Sequence, residues 1–265
     1  MSPNPEYVLG DGQRELQRLA LQAQYWGGAT LELLKRARIG PGMRVLDLGS
    51  GAGDVSLLAA TLVGSSGSIV GIDRSPAAIE AARAKVEAAG LANVEFHATA
   101  IEDFATDRPF DALIGRFVLV YFSDPVATLR QLLPLVRSRG VVAFLEMDID
   151  AARTVPRVPV VETAIERLRD TFRRAGVPVD FGPQVWRIFR AAGLPEPALI
   201  VRSKVEPAPA LAGTQYIAET VRSLLPMMER LGVASAAEVE IETLADVQAS
   251  LLSPAVVGTW STVTS

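Results

Sequence analysis

The chain of 265 residues has no cysteine and a single histidine, His97. The first absence excludes disulfides, thiolate nucleophiles and cysteine metal sites. The second removes His-based metal centres and a His-centred acid–base pair, so no metal is expected. No clustered basic face accompanies the formal net charge of −4, so nucleic acid is not an expected partner. No apolar run is long enough to span a bilayer, and none lies near the start to serve as a signal peptide. A cytoplasmic protein without a membrane partner is the expectation, as a monomer or homodimer. Internal repeats and low-complexity tracts are also missing. What remains is 49% hydrophobic, over a length that supports one large domain or one domain with an inserted cap.

The most informative stretch runs from Arg44 to Ser56. Val45 to Leu48 reads as a buried strand, Gly49, Gly51 and Gly53 as a turn, and Val55 to Val63 as a helix stopped by Gly64. Strand, glycine turn and helix open a nucleotide-binding βαβ unit, in which glycine lets the backbone pass close to a ligand. A dinucleotide fingerprint needs a third glycine at the helix mouth, yet Asp54 or Ser56 stands there, depending on the register counted. Asp54 repels a diphosphate, and Asp47 adds a second negative charge. The loop therefore suits a ligand with a positive centre and no phosphate. Asp73 ends the next apolar run, Ser68 to Asp73, where an acid can accept both ribose hydroxyls.

The spacing elsewhere predicts helices over 12–25 and 30–37, separated by Gly27 and Gly28, after an extended arm over 1–10 that carries Tyr7. Ser75 and Pro76 cap a helix ending at Gly90. Strands follow at 93–98 and 110–115, then a helix from Asp124 to about Arg137 and a strand over 140–147. Glu146 and Asp148 emerge at the end of that strand. Further on, the pattern gives helices over 160–175, 214–231 and 236–252, one ending at Gly193, and strands over 198–205 and 255–263. The arginines of the first of these helices (167, 169, 173 and 174) read as a solvated face.

Val45 to Gly53 resembles the first motif of class I S-adenosylmethionine-dependent methyltransferases, and Gly71 to Asp73 resembles their second. The resemblance implies an α/β fold: a Rossmann-like, open, mostly parallel seven-stranded sheet with helices on both faces and a helical cap. It implies a helical lid over 1–40, a cofactor-binding core over 41–150, and the rest of the sheet with cap insertions over 151–265. The cofactor implied is S-adenosyl-L-methionine, leaving as S-adenosyl-L-homocysteine. Its expected contacts are Asp47, Gly49, Ser50, Gly51, Gly53, Asp73, Arg74, Ala100, Ile101 and Arg116. Ala100 stands where the family has an acid for the adenine amino group, so backbone around Ala100 and Ile101, or Glu102, takes that part. Arg116 serves the methionine carboxylate, or pairs with Asp47 or Glu146. Glu146 and Tyr25 are the catalytic candidates, with Phe117, Tyr121, Trp186, Tyr216 and Met228 towards the acceptor.

The chain is similar to the small-molecule branch, including ubiquinone and menaquinone methyltransferases and natural-product tailoring enzymes. The implied acceptor is a small apolar or aromatic molecule, with an anionic one left open by the arginines of the cap. Missing cysteine excludes ring-carbon methylation through a cysteine nucleophile. Two other readings stand beside this one: a catalytically silent S-adenosylmethionine-binding partner protein, and a nicotinamide-dependent oxidoreductase.

Overall fold

The computed structural model describes residues 12–209, 211–239 and 247–264. The arm over 1–10, with Tyr7, lies outside them.

The first half alternates strand and helix: α1 (Gln13–Arg36), β1 (Arg44–Leu48), α2 (Asp54–Val63), β2 (Ser68–Asp73), α3 (Pro76–Ala88), β3 (Val94–Ala98), β4 (Phe110–Arg116), α4 (Pro125–Leu132) and β5 (Val136–Asp148). Short crossovers between parallel strands require helices on the sheet faces, and both faces are covered. Successive strand residues alternate between them. Val45, Ala112 and Ala143 pack under α1, α2 and α3, whereas Leu46, Leu113 and Phe144 pack towards the other face. There they meet α4 and α6 (Val185–Ala192).

The chain continues through β6 (Arg153–Val155), α5 (Pro159–Arg174), α6, β7 (Ala198–Arg202), β8 (Val205–Glu206), α7 (Leu211–Arg230), β9 (Ser250–Leu252) and β10 (Ala255–Thr262). The main sheet has seven strands in the order β3-β2-β1-β4-β5-β10-β7, with β10 antiparallel to both neighbours. The mostly parallel, Rossmann-like sheet expected from the sequence is thus present. A second sheet, β6-β9-β8, packs with α5 and α7 around a separate apolar cluster. Among the described residues no helix is long and apolar enough to cross a membrane.

Several expectations are corrected. The two N-terminal helices are one, α1, which runs through Gly27 and Gly28. Each glycine costs about 1 kcal/mol relative to alanine. The neighbouring Tyr25 and Trp26 are buried, and each such side chain contributes about 1.5–3 kcal/mol. The helix expected to reach Arg137 stops at Leu132, where Pro134 tightens the chain into a 3-10 turn and Val136 already pairs with Phe110. The single strand over 198–205 divides between the two sheets. Lys204 donates its N–H to the Ser253 hydroxyl (2.9 Å), and its carbonyl accepts from the Ser253 N–H (2.9 Å). The helix expected over 236–252 is a 3-10 turn at Ala236–Glu238 and the strand β9, with 240–246 outside the described residues. Arg169 is not solvated: it is buried, and one nitrogen donates to the carbonyls of Ile149, Asp150 and Ala152.

Candidate active site

The glycine turn after β1 lies at the carboxyl ends of the parallel strands. Gly49 has φ 63°, and a Cβ there would stand 2.4 Å from Val118 Cγ2, so only glycine fits. At Gly51, with φ 51°, a Cβ would meet only Leu19 Cδ1, at an ordinary contact distance of 3.7 Å. The Gly51 N–H donates to Asp73 Oδ2 (2.9 Å), and Oδ1 accepts from the Ser75 N–H (2.9 Å). Each carboxylate oxygen has a further lone pair, so the fixed carboxylate can still accept hydroxyls.

Around this turn opens a cleft of ≈ 1760 Å³, counted out to its solvent mouth. Gly49, Ser50, Gly51, Asp73, Arg74, Ile101 and Arg116 all line it. The Ser50 hydroxyl is buried there without a protein partner among the described residues. Arg116 is buried, and its Nη1 donates to the Thr30 hydroxyl (3.1 Å). Its expected ion pair with Asp47 or Glu146 does not form. Burial pushes its pKa down, although the charges of Asp54 and Asp47 oppose that shift.

Three expected contacts sit elsewhere. Gly53 packs towards Phe96 and Ala82 rather than facing the cleft. Asp47 is buried beneath the loop, where Oδ2 accepts the Ser56 hydroxyl (2.6 Å) and Oδ1 has no partner among the described residues. Desolvation raises its pKa to about 7. Ala100 is not at the wall, because its carbonyl turns into the following 3-10 turn to accept the Asp103 N–H (3.2 Å). Ile101 and Glu102 take its place. Asp54 is at the wall, but Lys85 pairs with it at 2.7 Å, which weakens the expected repulsion of phosphates.

A second cavity of ≈ 890 Å³, likewise counted out to its solvent mouth, lies between α1, α5, α7 and the end of β5. Its wall is mostly apolar, including Ile165, Leu168, Phe172 and Ile217. Phe117, Tyr121, Tyr216, Tyr25 and Glu146 from the sequence reading are all there. Arg18, Gln22, Phe117 and Tyr121 line both compartments and so form their common wall. Phe117 has φ 54°, a left-handed conformation that costs on the order of 1–2 kcal/mol for a residue with a Cβ.

Glu146 is 1% exposed, and its Oε1 accepts the N–H groups of Val118 (3.0 Å) and Leu119 (2.8 Å). Burial outweighs those bonds and raises its pKa to about 8. Tyr25 donates its hydroxyl to Glu206, stacks on Tyr216 at 5.3 Å, and lies under the Lys204 ammonium at 4.1 Å. Burial, reinforced by Glu206, pushes its pKa far above the ordinary tyrosine value, so the hydroxyl keeps its proton.

Trp186 and Met228 are not at the cavity. Trp186 is on α6, across the main sheet, donating to Glu196 (2.7 Å). Met228 is fully buried in the apolar cluster of the cap. Arg167, Arg169, Arg173 and Arg174 are absent from the wall as well. Sequence reasoning missed Arg18 and Gln22. Their signal was present: polar residues recurring at helical spacing on the buried side of α1, beside Leu19 and Trp26.

A nucleoside-sized cleft at the strand ends, with an acid closing β2, defines a Rossmann-like α/β protein of the ligand-binding kind. Residues 39–186 match the family described as a methyltransferase domain, and the chain belongs to that family. An arsenite methyltransferase of Aquipseudomonas alcaligenes is 35% identical over 117 residues, covering 41% of this chain and 34% of that protein. The aklanonic acid methyltransferase DauC of Streptomyces sp. (strain C5) is 31% identical over 139 residues, covering 50% and 63%. The chain thus spans less than two thirds of either curated relative. The crystal structure of the YcgJ protein from Bacillus subtilis superposes with a TM-score of 0.58 at 19% identity, covering 90% of this chain and 99% of that one. At that identity the likeness concerns the fold.

Proposed function

We propose that the chain moves a methyl group from S-adenosylmethionine, held in the cleft, to a small apolar or aromatic acceptor held in the second cavity. The observation that carries this reading is the common wall: Arg18, Gln22, Phe117 and Tyr121 border both compartments. The residues of the cleft fit the cofactor's parts. Asp73 has lone pairs for the ribose, Gly51 leaves room for a close approach, and the buried Arg116 suits a carboxylate. The unpartnered Ser50 hydroxyl adds a polar contact. When bound, the cofactor supplies an activated methyl on a sulfonium, which leaves as the neutral thioether.

The chain's part is alignment, which in such reactions contributes roughly 7–11 kcal/mol. Phe117 and Tyr121 fix the passage between the compartments, while the apolar cavity excludes water. For a hydroxyl acceptor Glu146 stands in the cavity wall to receive the proton. Arsenite fits this cavity poorly, because soft arsenic calls for thiolate ligands and the chain has no cysteine.

Calorimetry with S-adenosylmethionine, S-adenosylhomocysteine and NAD tests the cofactor. Binding of the first two, abolished or weakened more than tenfold by Asp73→Ala, is the expected result. Tight NAD binding with no binding of S-adenosylhomocysteine refutes the proposal. Labelled-methyl turnover against phenols, amines and indoles separates an enzyme from a silent binding protein.

A further inference from the structure

Gln22 is 7% exposed, on the wall that both compartments share. Its amide oxygen accepts from Arg18 Nη1 (2.7 Å) and from the Tyr216 hydroxyl (3.3 Å). An arginine N–H can only donate, so the oxygen, not the nitrogen, must face Arg18. Arg18 is itself clamped by Glu15, through Nε to Oε2 and Nη2 to Oε1, both 2.7 Å. The amide therefore cannot turn without breaking a charge-assisted bond. Its NH₂ makes no hydrogen bond to any described residue.

An oriented donor that no described residue occupies, on the wall of an apolar cavity, is placed to meet a ligand oxygen. The charge of Arg18 is already met by Glu15, and Glu146 shares the cavity, so an anionic ligand finds little attraction. We propose that Gln22 is the specificity-determining donor for the acceptor, and that the acceptor is an apolar ring system bearing an uncharged oxygen beside the atom to be methylated. This rests on reading the two compartments as donor and acceptor sites, and it adds to that reading the chemical class of the acceptor.

The test uses the full chain with 1-methoxynaphthalene and naphthalene as probes, which differ by one ether oxygen that can only accept. Affinities are measured by ligand-observed magnetic resonance with and without S-adenosylhomocysteine. The wild type is expected to favour 1-methoxynaphthalene about tenfold, the scale of one hydrogen bond. Gln22→Glu keeps an oxygen for Arg18 and Tyr216 but removes the donor, and should bring the ratio to about one. Gln22→Met, which has the size but neither polar atom, should do the same. Naphthalene should bind all three alike, whereas a merely structural role for Gln22 would shift both probes together. An unchanged ratio in the variants, a joint shift of both probes, or no binding of 1-methoxynaphthalene to the wild type overturns the inference. Loss of S-adenosylhomocysteine binding in the wild type, with the ratio behaving as expected, sinks the cofactor assignment alone and supports the role of Gln22.

Discussion

Replacing Glu146 by glutamine isolates one buried charge. Glutamine keeps the oxygen that accepts from Val118 and Leu119 and removes only the ionisation. Burial raises the carboxyl from 4.5 to about 8 in the folded chain. Between these values the unfolded chain releases the proton and the folded chain keeps it. The folded state then binds more protons, so stability falls as pH rises, by about 1.4 kcal/mol per unit at the steepest. The full shift corresponds to at most about 5 kcal/mol, absent below pH 4.5 and complete above pH 8. Glu146→Gln should therefore match the wild type near pH 4.5 and exceed it by on the order of 3–5 kcal/mol at pH 9. Asp47, raised to about 7 by the same cause, slopes the same way and persists in the variant. Urea titrations from pH 5 to 9 measure the difference. Parallel stability curves for the two proteins would refute the burial argument. With a hydroxyl acceptor, wild-type turnover should rise towards pH 8 as the proton-accepting form of Glu146 populates, and the variant should lose that limb.

Two glycines of one loop should fail differently. Gly49→Ala combines a left-handed backbone with a clash against Val118 and should cost about 2–5 kcal/mol in chemical denaturation. Gly51→Ala should cost only about 1–2 kcal/mol but weaken S-adenosylhomocysteine binding at least tenfold by calorimetry, since Gly51 lines the cleft and its Cβ clashes with no protein atom. Equal stabilities would contradict this division. Arg169→Met strands the carbonyls of Ile149, Asp150 and Ala152 and should cost about 1–3 kcal/mol, a fall in Tm of roughly 3–10 °C by differential scanning calorimetry. An unchanged Tm would return this arginine to the solvated face expected from its sequence.

The donor side was legible because its chemistry is local. A glycine with positive φ, an acid at a strand end and a capping serine each declare their role within a few residues, and Gly49, Asp73 and Ser75 stand where the spacing puts them. The acceptor side was less so. Tyr216 and Met228 lie on the same helix but about 120° apart around its axis, and only the packing of α7 on α5 decides which of the two sides meets the cavity. Trp186 sits on α6, whose face of the sheet cannot be read from its own periodicity. The cap's small sheet joins strands of two or three residues from distant parts of the chain, too short to carry a signal. Arg169 was misread because its partners are carbonyls, which every sequence contains.

That small sheet also orders events in time. The cleft's last lining residue is Phe122, and the cavity's last is Pro254. The β9 strand must find β6 and β8, one of them about a hundred residues earlier, so its loop-closure entropy is among the largest in the fold. A chain emerging from its N-terminus holds every side chain of the cleft long before the second cavity can close. The cleft is a product of early synthesis, and the cavity waits until β9 has been made.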